Sequence, residues 1–185
     1  MTTSEATTSR RTPPQGREAI VAAVLDSATA LFAERGPTAT SIRDIAERAG
    51  VNHGLVFRHF GAKDKLVAEV LDHLGAGHAD RELSSTDTRL SLHWTVIARC
   101  LLDGYPAGEL QHRFPVMNRL FQVAQQYHDE RPDAALAAAH AAALELGWQL
   151  FGPFLRSAAG LDELTLEQLQ AAADERARRI LTSGL

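Results

Sequence analysis

The sequence has one cysteine, few aromatic residues and no long apolar run. Because Cys100 has no second cysteine to pair with, an internal disulfide is excluded, and a reduced cytoplasmic location is the default expectation. No apolar stretch approaches the ~18 residues of a membrane span, and residues 1–16 lack the apolar segment of a secretory signal. With 45% hydrophobic and 23% charged residues over 185 positions, the composition is that of a globular chain with a sizeable core.

The motifs of common enzymes and metal sites are missing as well. His53 and His59 are six residues apart and His73 and His78 five, so no pair among the eight histidines has the i,i+4 spacing of a helical zinc site. There is no H-E-x-x-H, no G-x-S-x-G and no phosphate loop, and Cys100 has no recognisable catalytic neighbour. We therefore expect no cofactor and no metal. An enzyme is kept as the rival interpretation from a different functional class.

Excess basic charge is absent too, since the formal net charge is −4. The distribution of charged residues along the chain matters more than the net charge. Residues 129–185 hold nine acids and five bases, which accounts for the whole excess, whereas residues 52–65 hold three bases and one acid. Because distant charges are screened beyond ~8–10 Å, the local field at a contact surface decides binding. The acidic total does not exclude a nucleic-acid partner.

Apolar residues recur at helical spacing along the whole chain, and no segment has the pattern of a strand. The pattern predicts an all-α fold of about nine helices. Gly36-Pro37 should end the first helix, and Gly152-Pro153 should kink or end a long helix at about residues 133–156, which is apolar almost all round and therefore expected to be buried. Thr165 and Gln168 predict a capping box that starts the last helix.

Residues 42–66, IRDIAERAGVNHGLVFRHFGAKDKL, contain two short helical patterns that meet at a glycine. Ser41 and Asp44 form a carboxylate variant of the capping box. Gly50 permits a left-handed turn, and Asn52 caps the next helix, which carries Val56 inward. Packed on a first helix, this arrangement predicts a helix-turn-helix.

The outward face of the second short helix suits a DNA major groove, which is ~12 Å wide. Arg58 can pair with guanine or with a phosphate, Leu55 can contact a thymine methyl, and Gly54 permits close backbone approach. Phosphate contacts are expected where helices begin. The predicted DNA-binding residues are Thr40, Ser41, Arg43, Asn52, His53, Gly54, Leu55, Phe57, Arg58, His59 and Lys63. The alternative is an ordinary polar face on a helical bundle.

The run REAIVAAVLDSATALFAERGPTATSIRDIAERAGVNHGLVFRHFGAKDKLVAEVL, residues 17–71, resembles the N-terminal domain of the TetR family of transcriptional regulators. It matches the pattern LF-x-E-x-G, then TS-x-x-x-IA-x-x-AGV, then a glycine, an aromatic residue and HF, then K-x-x-L. The resemblance covers about a third of the chain. It implies an all-helical homodimer with an N-terminal DNA-binding domain and a variable C-terminal domain for ligand binding and dimerisation.

The resemblance also implies individual roles. Thr40, Ser41, His59 and Lys63 would contact phosphates, and residues 52–55 would approach bases. The family usually has tyrosine where this chain has Phe57, so a hydroxyl that contacts phosphate is missing, and Leu55 stands where a small polar residue is common. The resulting division is a disordered basic arm at 1–16, a helix-turn-helix domain at 17–62 and a ligand-binding and dimerisation domain at 63–185. In the arm, Arg10 and Arg11 could lie along a DNA groove.

The candidates for dimerisation are the last helix and the alanine-rich run at residues 133–152. Because one helix-turn-helix covers a short half-site, a two-fold dimer is needed to supply two. The predicted interface residues are Ala135, Ala139, Ala142, Gly147, Leu166, Leu169, Ala173 and Ile180. The alternative is that the alanines pack within one protomer.

A small-molecule pocket among the large side chains of the C-terminal half is the less direct prediction. Its candidate residues are Trp94, Tyr105, Phe114, Met117, Asn118, Phe121, Trp148 and Phe151. Aromatic residues at helical spacing also occur as plain core. The sequence therefore predicts a cytoplasmic regulator, a repressor that binds a palindromic operator as a homodimer and is released by a small apolar or amphipathic ligand, with a DNA binder that has no ligand as the alternative.

Overall fold

The computed structural model describes residues 14–76 and 88–183. These residues form nine helices and no strand, so the predicted all-α class is confirmed. The helices are α1 (Arg17–Arg35), α2 (Ile42–Ala49), α3 (His53–Phe60), α4 (Lys63–Ala76), α5 (Thr88–Leu102), α6 (Ala107–Leu110), α7 (Pro115–Ala124), α8 (Arg131–Ala158) and α9 (Leu166–Thr182). Arg10, Arg11 and His78, which the sequence singled out, lie outside the described residues.

The first hydrophobic core lies among α1–α4 and the C-terminal half of α5. Val24, Ala28 and Phe32 follow one another at four-residue intervals and therefore share one face of α1, and all three are fully buried. Val96 and Cys100 reach the same core from α5. The predicted boundary between the helix-turn-helix domain and the C-terminal domain, after residue 62, stays a prediction, because α4 shares this core with α1, α2 and α3.

The second core joins the N-terminal half of α5 to α7, α8 and α9. Trp94 and Leu120 supply its bulk, while α8 presents Ala134, Ala138 and Ala141. Small side chains allow the helix backbones to approach closely. α5 therefore contributes to both cores and connects the N-terminal helices to the C-terminal bundle.

α8 is longer and less buried than the sequence predicts. It runs from Arg131 to Ala158 with Pro153 inside it. Of the two outcomes predicted at Gly152-Pro153, an end of the helix is wrong, and a kink stays a prediction. A proline removes one backbone hydrogen bond, and here the remaining turns continue the helix. The predicted burial all round is also wrong for its second half, where Phe151 and Phe154 are exposed.

α9 begins as predicted, and one side of it is buried. The Thr165 hydroxyl accepts the Gln168 amide N–H at 3.1 Å, and the Gln168 side chain accepts the Thr165 amide N–H at 2.8 Å, which confirms the capping box. The buried residues of the helix are Leu169, Ala173, Ala177 and Leu181. Leu166, which the sequence assigns to the dimer interface, lies in the first turn of the helix and is exposed.

Candidate nucleic-acid interface

A tight turn at Gly50 joins α2 to α3. Gly50 has φ of 68°, in the left-handed region that favours glycine, and its N–H donates to the carbonyls of Ala46 and Glu47. The Val51 N–H donates to the Ala46 carbonyl at 3.0 Å. The Asn52 side chain then accepts the Gly54 N–H at 2.8 Å and starts α3. Both the turn and the cap are as the sequence predicts.

Two hydrogen bonds and an ion pair fix the start of α2. The Ser41 hydroxyl accepts the Asp44 N–H at 3.1 Å, and Asp44 accepts the Ser41 N–H at 2.8 Å, which confirms the capping box. Hydrogen bonds from the Ser41 backbone N–H and from the Ser41 side chain, with smaller contributions from Arg35 and Lys63, lower the pKa of the Asp44 carboxyl group. Arg35 lies 2.9 Å from Asp44 and so links α1 to the beginning of α2. Because this ion pair is partly exposed, it contributes orientation more than stability.

α3 divides into a buried face and an outward face. Val56 is fully buried and Phe60 nearly so, which anchors the helix on the first core. Phe57 is 64% exposed, and Arg58 lies beside it on the exposed side. The other outward residues are His53, Gly54, Leu55 and His59, of which Leu55 and His59 are half-buried. One face of a single short helix thus carries the side chains that the sequence assigned to base contacts.

Thr40 is the exception among the predicted DNA-binding residues. It is 1% exposed, and its hydroxyl donates to the Gly36 carbonyl at 2.7 Å. The Thr40 N–H donates to the Pro37 carbonyl at 3.2 Å. The sequence predicts that this hydroxyl contacts phosphate, whereas it closes the turn between α1 and α2 and is not presented to a ligand.

The remaining polar candidates lie where helices begin. Ser41 and Arg43 are at the start of α2, and Lys63 begins α4. Burial lowers the pKa of Lys63, while Asp103, Asp64 and Asp44 act in the opposite direction. The side chain is half-buried and has acids on several sides, so its charge is balanced in the free protein.

The eight candidates for ligand binding are not brought together. Trp94 lines a cavity of about 330 Å³ between α5, α7, α8 and α9. Met117, Asn118 and Phe121 line a separate depression of about 240 Å³ against α8. Tyr105 packs against the first core instead. The other three candidates line neither space: Trp148 is half-buried, and Phe114 and Phe151 are exposed.

Three of the eight predicted dimer contacts are buried inside the protomer. Ala142, Leu169 and Ala173 are at most 5% exposed in the single chain, so they pack α8 and α9 together and are not available to a second copy. Ala135, Ala139 and Leu166 are exposed, and Gly147 and Ile180 are half-buried. Phe151 and Phe154 are exposed aromatic residues that the sequence did not assign to the interface. They follow Gly147 by four and seven positions in α8.

The main residues that the sequence did not reveal are two acids in the larger cavity. Glu145 of α8 and Asp174 of α9 both line it, and burial together with the nearby Asp174 raises the pKa of Glu145 to about 8. A lone acid in the apolar run AAALELGW was the available signal for Glu145. The proximity of these two acids depends on how α8 and α9 are rotated against each other, which no local pattern encodes.

Among the described residues, no group of three or more metal-ligating side chains comes together, and no helix is both long enough and apolar enough to span a membrane. Cys100 is fully buried, and burial raises its pKa to about 12. Since the thiolate is the nucleophile, a thiol with this pKa is unreactive at neutral pH.

A glycine turn between two short helices, with a polar and aromatic outward face on the second, defines a helix-turn-helix DNA-binding protein. Residues 24–70 match the family of bacterial regulatory proteins known as tetR. Over 186 aligned residues, 98% of each chain, this protein is 53% identical to the HTH-type transcriptional repressor Rv3405c of Mycobacterium tuberculosis. The chain belongs to the tetR family. The proteins of this family are transcriptional regulators, not enzymes.

Two further relatives match to different extents. The HTH-type transcriptional repressor KstR2 of Rhodococcus jostii is 41% identical over 73 residues, which cover 37% of this chain and 36% of that protein. The crystal structure of a TetR-like transcriptional regulator from Rhodococcus sp. RHA1 superimposes with a TM-score of 0.54 at 19% identity, covering 90% of this chain and 96% of that one. The superposition extends the shared fold to the C-terminal bundle.

Proposed function

We propose that the protein is a repressor that binds a palindromic operator as a homodimer and releases it when a small apolar or amphipathic ligand binds. The observation that carries the proposal is the outward face of α3. Phe57 and Arg58 project from a helix fixed by Gly50 and Asn52 on one side and by Val56 on the other. Repression itself is inferred from the full-length similarity to the mycobacterial repressor.

Sequence-specific recognition of DNA bases requires polar and apolar groups on one face of the recognition helix, which here is α3. Arg58 can donate two hydrogen bonds to guanine O6 and N7, and the half-buried Leu55 can contact a thymine methyl. Phe57 has no hydroxyl, so we assign it to apolar contact with bases or sugars. Ser41 remains a proposed phosphate contact, because it is exposed at the start of α2, where backbone N–H groups favour an anion. Thr40 is left out of the proposed interface.

Dimerisation is supported by apolar surface at one end of the bundle. Phe151 and Phe154, one turn apart on α8, are 50% and 68% exposed, and Leu164 and Leu166 beside the start of α9 are 38% and 47% exposed. A Cβ on Gly152 would lie 3.9 Å from the Leu166 side chain, which places the start of α9 against this part of α8. We propose that these residues form the two-fold interface. A dimer would then present two α3 helices about 34–36 Å apart, one DNA turn.

Ligand control requires a path between the cavity and the DNA-binding helices. Leu90 and Trp94 line the cavity from the first half of α5. About 14 Å further along, at 1.5 Å per helical residue, Asp103 accepts the Thr38 N–H at 2.7 Å. Thr38 lies in the turn between α1 and α2. A ligand that shifts α5 would therefore move a contact that holds the start of the helix-turn-helix, provided that it binds one arrangement more tightly than the other.

The proposal is tested by selecting fragments of the source genome with the purified protein. We expect enriched fragments that share an inverted repeat, and we expect Arg58→Ala to lose that enrichment while its circular dichroism spectrum is unchanged. Arg176→Ala removes the same charge from an exposed position on α9 and serves as the matched control. Equal enrichment by Arg58→Ala and Arg176→Ala would contradict the assignment of α3.

A further inference from the structure

The walls of the cavity between α5, α7, α8 and α9 are mostly apolar. Its volume is about 330 Å³, within the range of sites for drug-sized molecules. Leu90 of α5, Leu120 of α7 and Ala177 of α9 are among the apolar residues that line it. A molecule enclosed here must therefore be largely apolar, and its polar group must match the few polar side chains in the walls.

Arg119 places a cation on the wall that α7 contributes. Val116, Leu120 and Val123 line the cavity from this helix, and Arg119 lies three positions after Val116 and four before Val123. Residues three and four positions apart are neighbours on one side of a helix. Arg119 therefore belongs to the apolar face of α7, where it is half-buried and lines the cavity.

The Arg119 guanidinium has no anionic partner within the part of the chain that the structure describes. No acid there lies within the 4.0 Å of an ion pair, whereas Arg178, the other arginine that lines the cavity, pairs with Glu175. Arginines beside apolar surface are normally paired or hydrogen-bonded. The planar fork of a guanidinium matches a carboxylate, to which it donates two parallel hydrogen bonds. Arg119 therefore favours a ligand with a carboxylate group.

Trp94 indicates independently that the ligand carries an acceptor. Its side chain is 6% exposed and lines the same cavity. Its indole N–H is buried and has no hydrogen-bond partner among the described residues. Buried donors are normally paired, and an indole can only donate. A carboxylate has two acceptor oxygens with room for about four hydrogen bonds, so it can accept from a further donor besides Arg119, whereas an ammonium group accepts none.

The two acids that line the cavity do not reverse this preference. Burial first and Asp174 second raise the pKa of Glu145 to about 8, so this group is mostly uncharged at neutral pH and does not repel an anion. Asp174 and Arg178, one turn apart on α9, line the cavity with opposite formal charges. Because these two charges offset each other, Arg119 sets the sign of the charge that a ligand meets.

We infer that this cavity binds small lipophilic carboxylates, with the carboxylate held by the Arg119 guanidinium and the apolar body against Leu90 and Leu120. The inference rests on the proposed ligand-responsive function and names the class of ligand. The apolar walls exclude a small hydrophilic acid, because such a ligand would leave them uncovered. The charge on Arg119 distinguishes a carboxylate from an alcohol or an amine of the same shape.

The first test compares three probes of similar shape by isothermal titration calorimetry on the full chain: 4-phenylbutanoate, 4-phenylbutanol and 4-phenylbutylamine. The carboxylate should bind at least about tenfold more tightly than the alcohol, a difference of ~1.4 kcal/mol. The amine should bind no more tightly than the alcohol. Equal or tighter binding of the alcohol would overturn the inference, as would tightest binding of the amine.

A variant of Arg119 locates the charge. Arg119→Gln should weaken 4-phenylbutanoate at least about tenfold while it leaves the alcohol within about twofold. Arg176→Gln removes the same charge from an exposed position on α9 and should bind 4-phenylbutanoate like the wild type. Equal carboxylate affinity in the two variants would refute the site. If Arg119→Gln fails to fold, the ranking of the three probes on the wild-type protein still decides.

The two tryptophans of the chain, Trp94 and Trp148, show where the probe binds. Trp94 lines the cavity and Trp148 does not. In Trp148→Phe, 4-phenylbutanoate should change the fluorescence of the remaining Trp94. In Trp94→Phe, the emission of Trp148 should stay the same. A response of Trp148 without a response of Trp94 would place the probe outside the cavity and overturn the inference.

The inference and the proposed function fail separately. If 4-phenylbutanoate does not bind but the protein still retains its genomic fragments, the ligand class is wrong and the DNA-binding proposal stands. If 4-phenylbutanoate binds through Arg119 but no fragment is retained, the cavity is assigned correctly and the DNA-binding proposal falls.

Discussion

Asp103 joins the C-terminal end of α5 to the turn before α2, and its removal tests whether that link positions the DNA-binding helices. The carboxylate accepts the Thr38 N–H at 2.7 Å and opposes the effect of burial on the pKa of Lys63. Hydrogen bonds to charged groups contribute about 1.5–3 kcal/mol. Because Thr38 is exposed and water can replace the lost acceptor, we expect Asp103→Ala to cost the lower part of that range, about 1.5–2 kcal/mol.

For a chain of this length, that loss corresponds to a decrease in Tm of roughly 3–8 °C. The turn that Asp103 holds leads directly into Ser41, so the affinity for selected DNA fragments should also fall several-fold. Thermal melts followed by circular dichroism and fluorescence anisotropy with labelled DNA measure the two effects. Asp129→Ala, at an exposed position outside the helices, is the matched control. If Asp103→Ala melts and binds DNA like Asp129→Ala, the proposed path between the cavity and the DNA-binding helices is refuted.

Three further predictions concern packing, caps and pH. Leu169→Asp should unfold the protomer, because Leu169 is 4% exposed in the single chain. Phe154→Asp, by contrast, should give a folded monomer in sedimentation. A folded Leu169→Asp monomer would contradict this packing. Asn52→Ala should cost about 1 kcal/mol in thermal unfolding by removing the cap of α3, and an unchanged melt would contradict the cap. Since the folded pKa of Glu145 is raised to about 8, its contribution to stability is fully present below the ordinary glutamate pKa of 4.5 and is lost as the pH rises towards 8. Melts of Glu145→Gln between these pH values should depend less on pH than those of the wild type, and parallel curves would refute the shift.

The helix-turn-helix could be predicted closely because its signals are local. The Ser41–Asp44 box, the Gly50 turn and the Asn52 cap each involve residues within a few positions of one another. Such contacts form whenever the chain takes the right backbone angles, so sequence spacing is sufficient to find them. The same holds for Thr165 at the start of α9.

The burial of side chains and the identity of their contact partners were harder to predict, because both depend on distant parts of the chain. Thr40 and Ser41 are neighbours, yet Thr40 is buried under the turn and Ser41 is exposed. The phase of α9 against α8 determines that Leu169, Ala173 and Ala177 face inward, while Leu166, in the first turn of α9, is exposed. The same phase brings Asp174 to Glu145, 29 positions earlier in the chain, and no motif signals that meeting.

Local rules also fail where packing outweighs them. Pro153 is expected to kink or end its helix, and the second of these outcomes is wrong, because α8 continues for five residues beyond it. The lost backbone hydrogen bond is a cost of a few kcal/mol, and the contacts of α8 with α9 extend to that point, as the approach of Leu166 to Gly152 illustrates. The apolar character of this stretch predicts burial, whereas Phe151 and Phe154 face outward and are assigned to the proposed dimer interface.

The most direct test of the central claim places a photocrosslinker on α3. Phe57 and Phe154 are both phenylalanines and are similarly exposed, at 64% and 68%, so benzoylphenylalanine can replace either one with little disturbance of the core. With a selected DNA fragment bound, the crosslinker at position 57 should attach to bases in both halves of the inverted repeat, and the one at 154 should attach to the partner protomer. Crosslinking of DNA from position 154 but not from 57 would contradict the account.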